Sequence, residues 1–306
     1  MKRTLLGIAG LFGFVVASVA LFAVVFALVD LRENRSARTI SIGSKAFTES
    51  IVLAEVMAEL IERKTDIRVI RRTNLGGTHI VFEALRAGEI DLYPEYTGTG
   101  LVAILKLSAQ GDAERTFRSV SQEFSRRFAL SWLAPMAFNN TYALAVTKRK
   151  SRELALERIS DLTRHPGLVA GFASEFMARE DGYPGLIRRY GLELDARGME
   201  AGLMYGAVAT GEVDVISAYA TDGRIDKFGL VVLEDDRGFF PPYHAAPLVR
   251  RETLEEFAEI APALAVLAGK LTDAEMRRVN AAVDIGGRTP ESVAAEIVAR
   301  LLESEP

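Results

Sequence analysis

The clearest chemical pattern in this sequence belongs to its tyrosines. Four of the eight stand beside apolar, strand-like runs: Tyr96, Tyr142, Tyr219 and Tyr243. The other four have the surroundings of core residues: Tyr93, Tyr183, Tyr190 and Tyr205. A single tyrosine is most often a packing residue, but several rings around one cleft would form a box of π-faces. Such a box suits a cation that has no proton to donate, for example a quaternary ammonium group. Each face attracts positive charge by about 0.5–2 kcal/mol and holds less water than a carboxylate does.

A glycine-rich run offers a competing chemistry. Residues Gly98–Ala103 fit the G-x-G-x-x-A fingerprint of dinucleotide-binding proteins and follow a strand-like segment. Pro94 interrupts that segment, however, and the acidic residue that should end the next strand about twenty positions later is missing. An oxidoreductase that uses a nicotinamide or flavin cofactor is therefore the less favoured alternative.

Two pairs of acidic residues suggest general acid and base catalysis, but their position argues against it. The pairs are Glu89/Asp91 and Glu212/Asp214. Each pair follows a glycine that ends a predicted helix, so it stands at the start of a strand. Open α/β sheets bind ligands at the opposite, carboxyl ends of their strands. We interpret both pairs as turn and strand-entry residues. The P-loop, the G-x-S-x-G hydrolase motif and the H-E-x-x-H zinc-protease motif are absent, and the three histidines are scattered, so we predict no catalytic residue, no metal and no cofactor.

The composition separates an apolar leader from a folded body. Leu5–Val29 holds 25 residues without a charge, and as a helix it would reach roughly 37 Å, enough to cross a ~30 Å hydrocarbon core. We predict that residues 1–38 form a membrane anchor, with a cleaved signal sequence as the alternative. The other 268 residues carry 32 basic and 39 acidic side chains, a net charge of −7, which gives no general attraction for nucleic acid. With 49% apolar residues and no cysteine, the body is neither disordered nor stapled by disulfides.

The elements that must position the tyrosines alternate between strand and helix. The predicted order is strand Thr39–Ile42, helix Thr48–Lys64, strand Arg68–Arg72, a helix that Gly76-Gly77-Thr78 opens and Gly88 ends, and strand Glu89–Tyr93. This βαβαβ order indicates an α/β fold with a mostly parallel sheet and helices on both faces. Further helix signals are the run Asp112–Leu130, a capping box of Thr272 with Glu275, and Pro290 after Thr289.

An internal similarity predicts two related lobes. The segment EALRAGEIDLYPEYTGTG from Glu83 aligns with GAVATGEVDVISAYATDG from Gly206 at a constant offset of 123 residues, which places Tyr96 on Tyr219. A weaker match sets GSKAFTE from Gly43 beside GFASE from Gly171. Two such lobes would face each other across a cleft, with the two tyrosines opposed.

The same similarity sets the predicted domain boundaries. Asn139–Val146 and Tyr243–Arg250 have the apolar runs expected where the chain crosses between lobes. We predict a first lobe of residues 39–141 and 244–306. Residues 142–243 would form an inserted second lobe.

Several motifs in order resemble one family. They are GSKAFTE, NLGGT, GEIDLYPEYTGT, NNTYALAV, EFMAR, YATDGRI and DDRGFFPPY. Together they make the chain from Thr39 onwards similar to the glycine betaine/carnitine/choline-type substrate-binding proteins of osmoprotectant ABC transporters. The resemblance implies a two-lobed type II periplasmic-binding-protein fold that hands a small osmolyte to a permease and its cytoplasmic ATPase. It also implies an extracytoplasmic location.

The resemblance further implies a set of ligand contacts. The family's four cage tyrosines fall on the four already singled out, Tyr96, Tyr142, Tyr219 and Tyr243. Relatives that bind carboxylated ligands hold the carboxylate with residues that match Lys45, Thr99 and Arg179. Choline-selective relatives carry an aspartate in place of Thr99, so this chain is expected to prefer a zwitterion such as glycine betaine. Choline, another small osmolyte or an amino acid is the alternative ligand, and a sensory receptor of the same fold is the alternative role.

One residue departs from the family pattern. His244 stands where many relatives have an acidic residue after the PPY motif. An imidazole there would place a partial positive charge at the rim of the cage.

Overall fold

A computed structural model describes residues 38–108 and 112–304 of the chain. The predicted membrane anchor, Leu5–Val29, lies outside these residues. Among the residues described, no helix combines the length and the apolar character needed to cross a bilayer.

Ten strands form two five-stranded sheets. The strands are β1 Thr39–Gly43, β2 Arg68–Arg72, β3 Leu92–Tyr96, β4 Leu130–Trp132, β5 Tyr142–Thr147, β6 Val169–Ala173, β7 Asp195–Met199, β8 Val215–Tyr219, β9 Leu230–Leu233 and β10 Ala245–Arg250. The first sheet has the order β2-β1-β3-β10-β4 and the second the order β7-β6-β8-β5-β9. In each sheet the first three strands are parallel, and the fourth runs antiparallel to both of its neighbours.

Both sheets are therefore mixed: four of the five strands run in the same direction, as the expected mostly parallel sheet requires, and one strand is reversed. The reversed strand in each sheet, β10 or β5, is the one the chain enters after crossing from the other sheet. A chain that arrives at the ligand-binding edge must run back along the sheet, so this strand opposes its neighbours. The βαβαβ pattern of the sequence does not show that β5 and β10 run in the opposite direction.

The described helices are mostly short. They are α1 Thr48–Lys64, α2 Thr78–Ala87, α3 Thr97–Thr99, α4 Ala113–Phe128, α5 Lys148–Leu154, α6 Ser174–Ala178, α7 Tyr183–Tyr190, α8 Ala201–Thr210, α9 Arg224–Lys227, α10 Arg251–Glu256, α11 Ile260–Leu264, α12 Asp273–Asp284 and α13 Pro290–Glu303. The π-helical turn Gly100–Ile104 continues α3, and 3₁₀ turns span Ile159–Arg164 and Ala265–Leu267.

Helix ends follow the chemistry predicted from the sequence. Gly88 ends α2 in the left-handed conformation, with φ of 75°, where a side chain would be strained. Thr272 and Glu275 form the predicted capping box of α12, and Pro290 opens α13 behind the Thr289 cap. The helix expected at Asp112–Leu130 is α4, with Asp112 as its N-cap.

Helices cover both faces of the first sheet, as predicted. Alternate side chains of β3 and β10 point into two separate apolar clusters. One cluster lies under α1, which α13 and α12 cover in turn, and the other lies under α2 and α4. The C-terminal helices thus complete the first sheet although they are distant in sequence.

The two segments that are similar in sequence, from Glu83 and from Gly206, make equivalent hydrogen bonds in the structure. The N–H of Asp91 donates to Ser41 O and the N–H of Asp214 donates to Val169 O, each at 2.7 Å. In return, the two carboxylates accept from the N–H groups of those same residues, at 2.7 Å and 3.0 Å. Both aspartates therefore tie the start of one strand to its neighbour, which confirms their predicted strand-entry role.

Strand β3 begins later than the predicted Glu89–Tyr93. The N–H groups of Glu89 and Ile90 still bond to Ala84 O at the end of α2, so the strand begins only at Leu92. Pro94 lies inside β3, opposite Pro247 of β10, instead of breaking the strand. Two prolines can face each other only at a pair where these two strands exchange no hydrogen bonds, so neither missing N–H removes a bond between β3 and β10.

Two adjacent crossings connect the sheets. The chain passes from β4 to β5 and returns from β9 to β10. The crossings pair with each other, because Asn139 and His244 form an antiparallel bridge and the N–H of Tyr243 donates to Asn139 Oδ1 at 2.7 Å. All the strands between the crossings belong to the second sheet.

Candidate functional site

A cavity of about 400 Å³ lies between the two sheets. Its lining includes every residue predicted from the sequence to contact a ligand: Lys45, Tyr96, Thr99, Tyr142, Arg179, Tyr219 and Tyr243. The structure therefore brings together side chains that are up to 198 positions apart, from Lys45 to Tyr243. Whether they bind a ligand stays a prediction.

The tyrosines reach the cavity from strand ends near the crossings. Tyr96 is the last residue of β3, and Tyr219 is the last residue of β8. Tyr142 opens β5 directly opposite Tyr219 in the antiparallel register, and Tyr243 precedes β10. These ends lie at the edge where α/β sheets bind ligands.

The rings form one contiguous aromatic surface. The ring centroid of Tyr142 lies 5.1 Å from that of Tyr219 and 5.7 Å from that of Tyr243, at interplanar angles of 32° and 85°. Phe47 completes the surface, because its ring lies 6.0 Å from Tyr96 and stacks on Tyr219 at 6.1 Å with a 6° tilt. The ring faces thus differ in orientation, as enclosure of a compact cation requires.

Phe47 was not predicted from the sequence to line the cavity. It precedes α1 within the GSKAFTE motif, two residues after Lys45, and an apolar residue at a helix start is ordinarily a packing residue. Only its partner Tyr219, 172 positions away, identifies it as part of the cavity.

Burial keeps the phenols neutral. It raises the pKa of Tyr96, Tyr142 and Tyr243 well above the ordinary value, and it raises the pKa of Tyr219 to about 12. The cavity therefore presents neutral π-faces at physiological pH.

The Lys45 side chain is paired inside the protein. Its ammonium donates to Glu95 Oε1 at 2.5 Å and lies 5.1 Å from the ring centroid of Tyr96. Glu95 is fully buried and also accepts from the Tyr93 hydroxyl and the Tyr96 N–H. The pair places a charged lysine against the cavity with its charge already balanced.

Arg179 is held in the same way. Its guanidinium donates to both oxygens of Asp181, with Nε at 2.7 Å from Oδ1, and to Glu175 Oε1 at 3.2 Å. Burial alone would lower the pKa of Arg179, but Tyr142 and Asp181 raise it overall, so the group stays charged. Asp181 also accepts from the Tyr243 hydroxyl at 2.6 Å, which links the arginine to the aromatic surface.

The run Gly98–Ala103 has a packing role. A Cβ on Gly98 would lie 2.6 Å from the Tyr243 ring, and one on Gly100 would lie 2.8 Å from Trp132. These glycines let the backbone approach aromatic rings, so packing is sufficient to explain why the run contains them. Thr99, within the run, is buried and lines the cavity.

A hydrogen bond joins the two sides of the cavity. The Thr78 hydroxyl, at the start of α2, donates to Glu175 Oε1 at 3.0 Å. Glu175 belongs to α6 beside the second sheet, and both residues line the cavity. Neither residue was predicted from the sequence to contact a ligand.

His244 is not among the residues that line the cavity. Its backbone binds Thr97, since its N–H donates to Thr97 Oγ1 at 3.1 Å and its carbonyl accepts from the Thr97 N–H at 3.0 Å. Thr97 therefore holds the main chain of His244, and an effect of its imidazole on the cage stays a prediction.

Comparison with known proteins gives consistent matches. Residues 38–300 match the family described as the substrate-binding domain of ABC-type glycine betaine transport systems. A glycine-betaine-binding protein of Pseudomonas aeruginosa is 37% identical over 276 residues, covering 86% of this chain and 88% of that protein. The carnitine transport binding protein OpuCC of Listeria monocytogenes is 35% identical, covering 85% of this chain and 86% of that protein.

A solved structure agrees with these relatives. The crystal structure of a glycine betaine/carnitine/choline ABC transporter protein superposes with a TM-score of 0.73 at 34% identity. The alignment covers 85% of this chain and 98% of that one. The two-sheet architecture described above is thus shared by a protein of known structure.

Proposed function

Because the chain belongs to the family of substrate-binding domains of ABC-type glycine betaine transport systems, we propose that it captures a quaternary ammonium compound in the cavity between its sheets. Proteins of this family bind a transport substrate, and the chain is accordingly not an enzyme. The partners in this proposal are an ABC permease and its cytoplasmic ATPase.

The aromatic surface carries the proposal. Four tyrosines and Phe47 line one cavity, and their faces point in different directions. A methylated ammonium offers only a diffuse positive charge, which ring faces attract without the dehydration that a carboxylate would require. The four tyrosines form the cage in this proposal.

The paired crossings support a hinge. We propose that residues 39–141 and 244–306 move as one lobe and residues 142–243 as the other, with the crossings at Asn139 and His244 as the pivot. A ligand that touches tyrosines of both lobes would favour closure, because it gains contacts only when the lobes approach. The permease would then recognise the closed form.

Glycine betaine is the ligand expected from the carboxylate-binding set. Lys45, Thr99 and Arg179 line the same cavity as the tyrosines. An arginine fork and a lysine can both hold a carboxylate, and Thr99 can add a hydroxyl. In this arrangement the ammonium lies in the cage and the carboxylate replaces part of the internal pairing of the two cations.

A specific observation favours choline as the second candidate. All three nitrogens of Arg179 already donate to Asp181 or Glu175, and Lys45 already binds Glu95. These internal carboxylates already balance the charges of both cations, so a ligand carboxylate would meet less uncompensated positive charge, whereas a hydroxyl needs only an acceptor. Glu175 lines the cavity and offers one.

Isothermal titration calorimetry of the full-length chain separates these ligands. The panel contains glycine betaine, choline, carnitine, proline and NAD. We expect a dissociation constant in the micromolar range, about −8 kcal/mol, for at least one quaternary amine. Binding of proline or NAD alone, or of no compound in the panel, would refute the proposal.

The location follows from the same role. Substrate-binding proteins of ABC importers work outside the cytoplasm, and we propose that Leu5–Val29 holds this one at the membrane. Fractionation tests the anchor, because the full-length chain should sediment with membranes and a form that begins at Arg38 should not.

A further inference from the structure

A buried carboxyl group joins the cage to both sheets. Glu49, in the first turn of α1, is only 2% exposed, yet it is absent from the residues that line the ligand cavity. Glu49 is not part of the proposed set of ligand contacts. A buried carboxyl is costly unless polar partners surround it, so these partners indicate its role.

Four side chains from separate segments donate to Glu49. Tyr96 Oη and Asn140 Nδ2 lie 2.8 Å and 2.7 Å from its Oε1, while Thr221 Oγ1 and Asn280 Nδ2 lie 2.6 Å and 2.9 Å from its Oε2. Tyr96 ends β3 of the first sheet, Asn140 belongs to the first crossing, Thr221 follows β8 of the second sheet, and Asn280 lies on α12.

The amide groups show that this orientation is fixed. Both asparagines turn their Nδ2 towards Glu49, and within the described part of the chain their Oδ1 atoms are buried without a hydrogen-bond partner. Asn280 Nδ2 also donates to Thr221 O at 2.9 Å, so a flip of that amide would oppose two oxygens. The amides of Asn140 and Asn280 therefore donate to this carboxyl while their own oxygens stay buried without a hydrogen bond. An unsatisfied buried acceptor is unfavourable, so the bonds to Glu49 must offset that loss.

The surrounding backbone is packed around the same junction. Arg277 Nη1 donates to Ala220 O at 3.0 Å, and a Cβ on Gly223 would lie 2.6 Å from Ala281 Cβ. The loop after β8 therefore lies directly on α12. The two lobes are thus in close contact at this loop, and the Glu49 carboxyl is the buried polar group between them.

We infer that Glu49 is a positioning residue that fixes the cage tyrosine Tyr96 relative to the crossing and to the second lobe. Its hydrogen bond to Thr221 exists only when the loop after β8 sits against α1 and α12. Through Glu49 the ring of Tyr96 is held in the orientation that the assembled cage requires. This inference rests on the proposed ligand-binding function, although Glu49 is not among the residues that line the ligand cavity.

Thr221→Val isolates the contact to the second lobe. Valine keeps the shape of threonine, and Thr221 is not among the residues that line the ligand cavity. The matched control is Thr253→Val. Thr253 is equally buried and donates to Asp91 Oδ1 at 3.0 Å, but this bond lies wholly within the first lobe.

We expect Thr221→Val to raise the dissociation constant of the best ligand about tenfold, mainly through a faster dissociation rate. Thr253→Val should lower the melting temperature but leave the dissociation constant within about twofold of the wild type. A cycle of Thr221→Val with Tyr96→Phe, which keeps the ring, should be non-additive because both hydroxyls act through Glu49. Unchanged binding in Thr221→Val, additive effects in the cycle, or an equal loss in Thr253→Val would overturn the inference.

Small-angle X-ray scattering without ligand gives an independent readout. The radius of gyration of Thr221→Val should exceed that of the wild type, while that of Thr253→Val should not. Equal radii in all three proteins would count against the positioning role. If the wild-type chain bound no quaternary amine, the proposed function would fail and this measurement alone would decide the role of Glu49.

Discussion

Replacement of Tyr219 by alanine tests the aromatic cage most directly. The Tyr219 ring stacks on Phe47 at 6.1 Å and lies 5.1 Å from the ring of Tyr142. The substitution therefore removes one face and takes packing support from two others. One cation–π face contributes about 0.5–2 kcal/mol, which corresponds to a roughly 2- to 30-fold change in dissociation constant. We expect a loss of at least about tenfold, towards the upper end, because the neighbouring rings also loosen.

Two controls separate charge from bulk. Tyr219→Phe keeps the ring face, so its affinity should stay within about threefold of the wild type. The second control is a ligand, 3,3-dimethyl-1-butanol, in which a carbon replaces the charged nitrogen of choline. If Tyr219 acts through cation–π attraction, Tyr219→Ala should weaken choline binding much more than binding of this neutral isostere.

Titration calorimetry of choline and of 3,3-dimethyl-1-butanol with the wild type, Tyr219→Phe and Tyr219→Ala measures these differences in dissociation constant. Equal losses for the charged and the neutral ligand would show that Tyr219 only fills space. An unchanged dissociation constant in Tyr219→Ala would refute the cage itself.

Three further predictions concern the surroundings of the cage. Arg179→Ala should weaken glycine betaine binding more than choline binding in calorimetry, and equal losses would contradict its role in holding a carboxylate. Gly98→Ala should weaken ligand binding because its Cβ would push the Tyr243 ring aside. As a control, Gly206→Ala lies in an open helical position and should raise the free energy of unfolding by about 0.5–1 kcal/mol in urea denaturation. Normal ligand binding by Gly98→Ala would contradict the predicted clash. Burial raises the pKa of Glu49 in the folded protein above its value of about 4.5 in the unfolded chain. The free energy of unfolding of the wild type should therefore decrease as the pH rises from about 4.5 through the folded pKa. Glu49→Gln has no titrating group at this position and should not show this decrease. Parallel unfolding profiles from pH 4.5 to 8 would contradict a raised pKa.

The sequence predicted local elements well because their signals are local. Thr48–Lys64 and Arg68–Arg72 form within their predicted bounds, and Gly88 ends its helix with a left-handed backbone. Strand β3 was misplaced because two N–H groups remain bonded to the preceding helix and because Pro94 pairs with a proline 153 positions away. Neither fact is visible in the neighbouring residues.

Some residues of the candidate site could also be predicted from the sequence, whereas others could not. Repeated motifs drew attention to Tyr96 and Tyr219, and family resemblance added Lys45, Thr99 and Arg179. The same sequence gave no sign of Phe47 or Glu49, because an apolar residue and an acidic residue at a helix start both have ordinary local explanations. Their partners lie up to 231 positions away.

The sequence by itself determined which chemical groups the cavity would contain, since residue type and order decide that phenols follow the strands near the crossings. Only the tertiary structure decided their state and their neighbours. It pairs both cations of the expected carboxylate-binding set with internal carboxylates, packs a phenylalanine against the tyrosines, and buries one carboxyl among donors from both lobes. Hydrogen bonds and ring contacts act over a few ångströms, and which side chains come that close depends on how the two sheets and their crossings pack together.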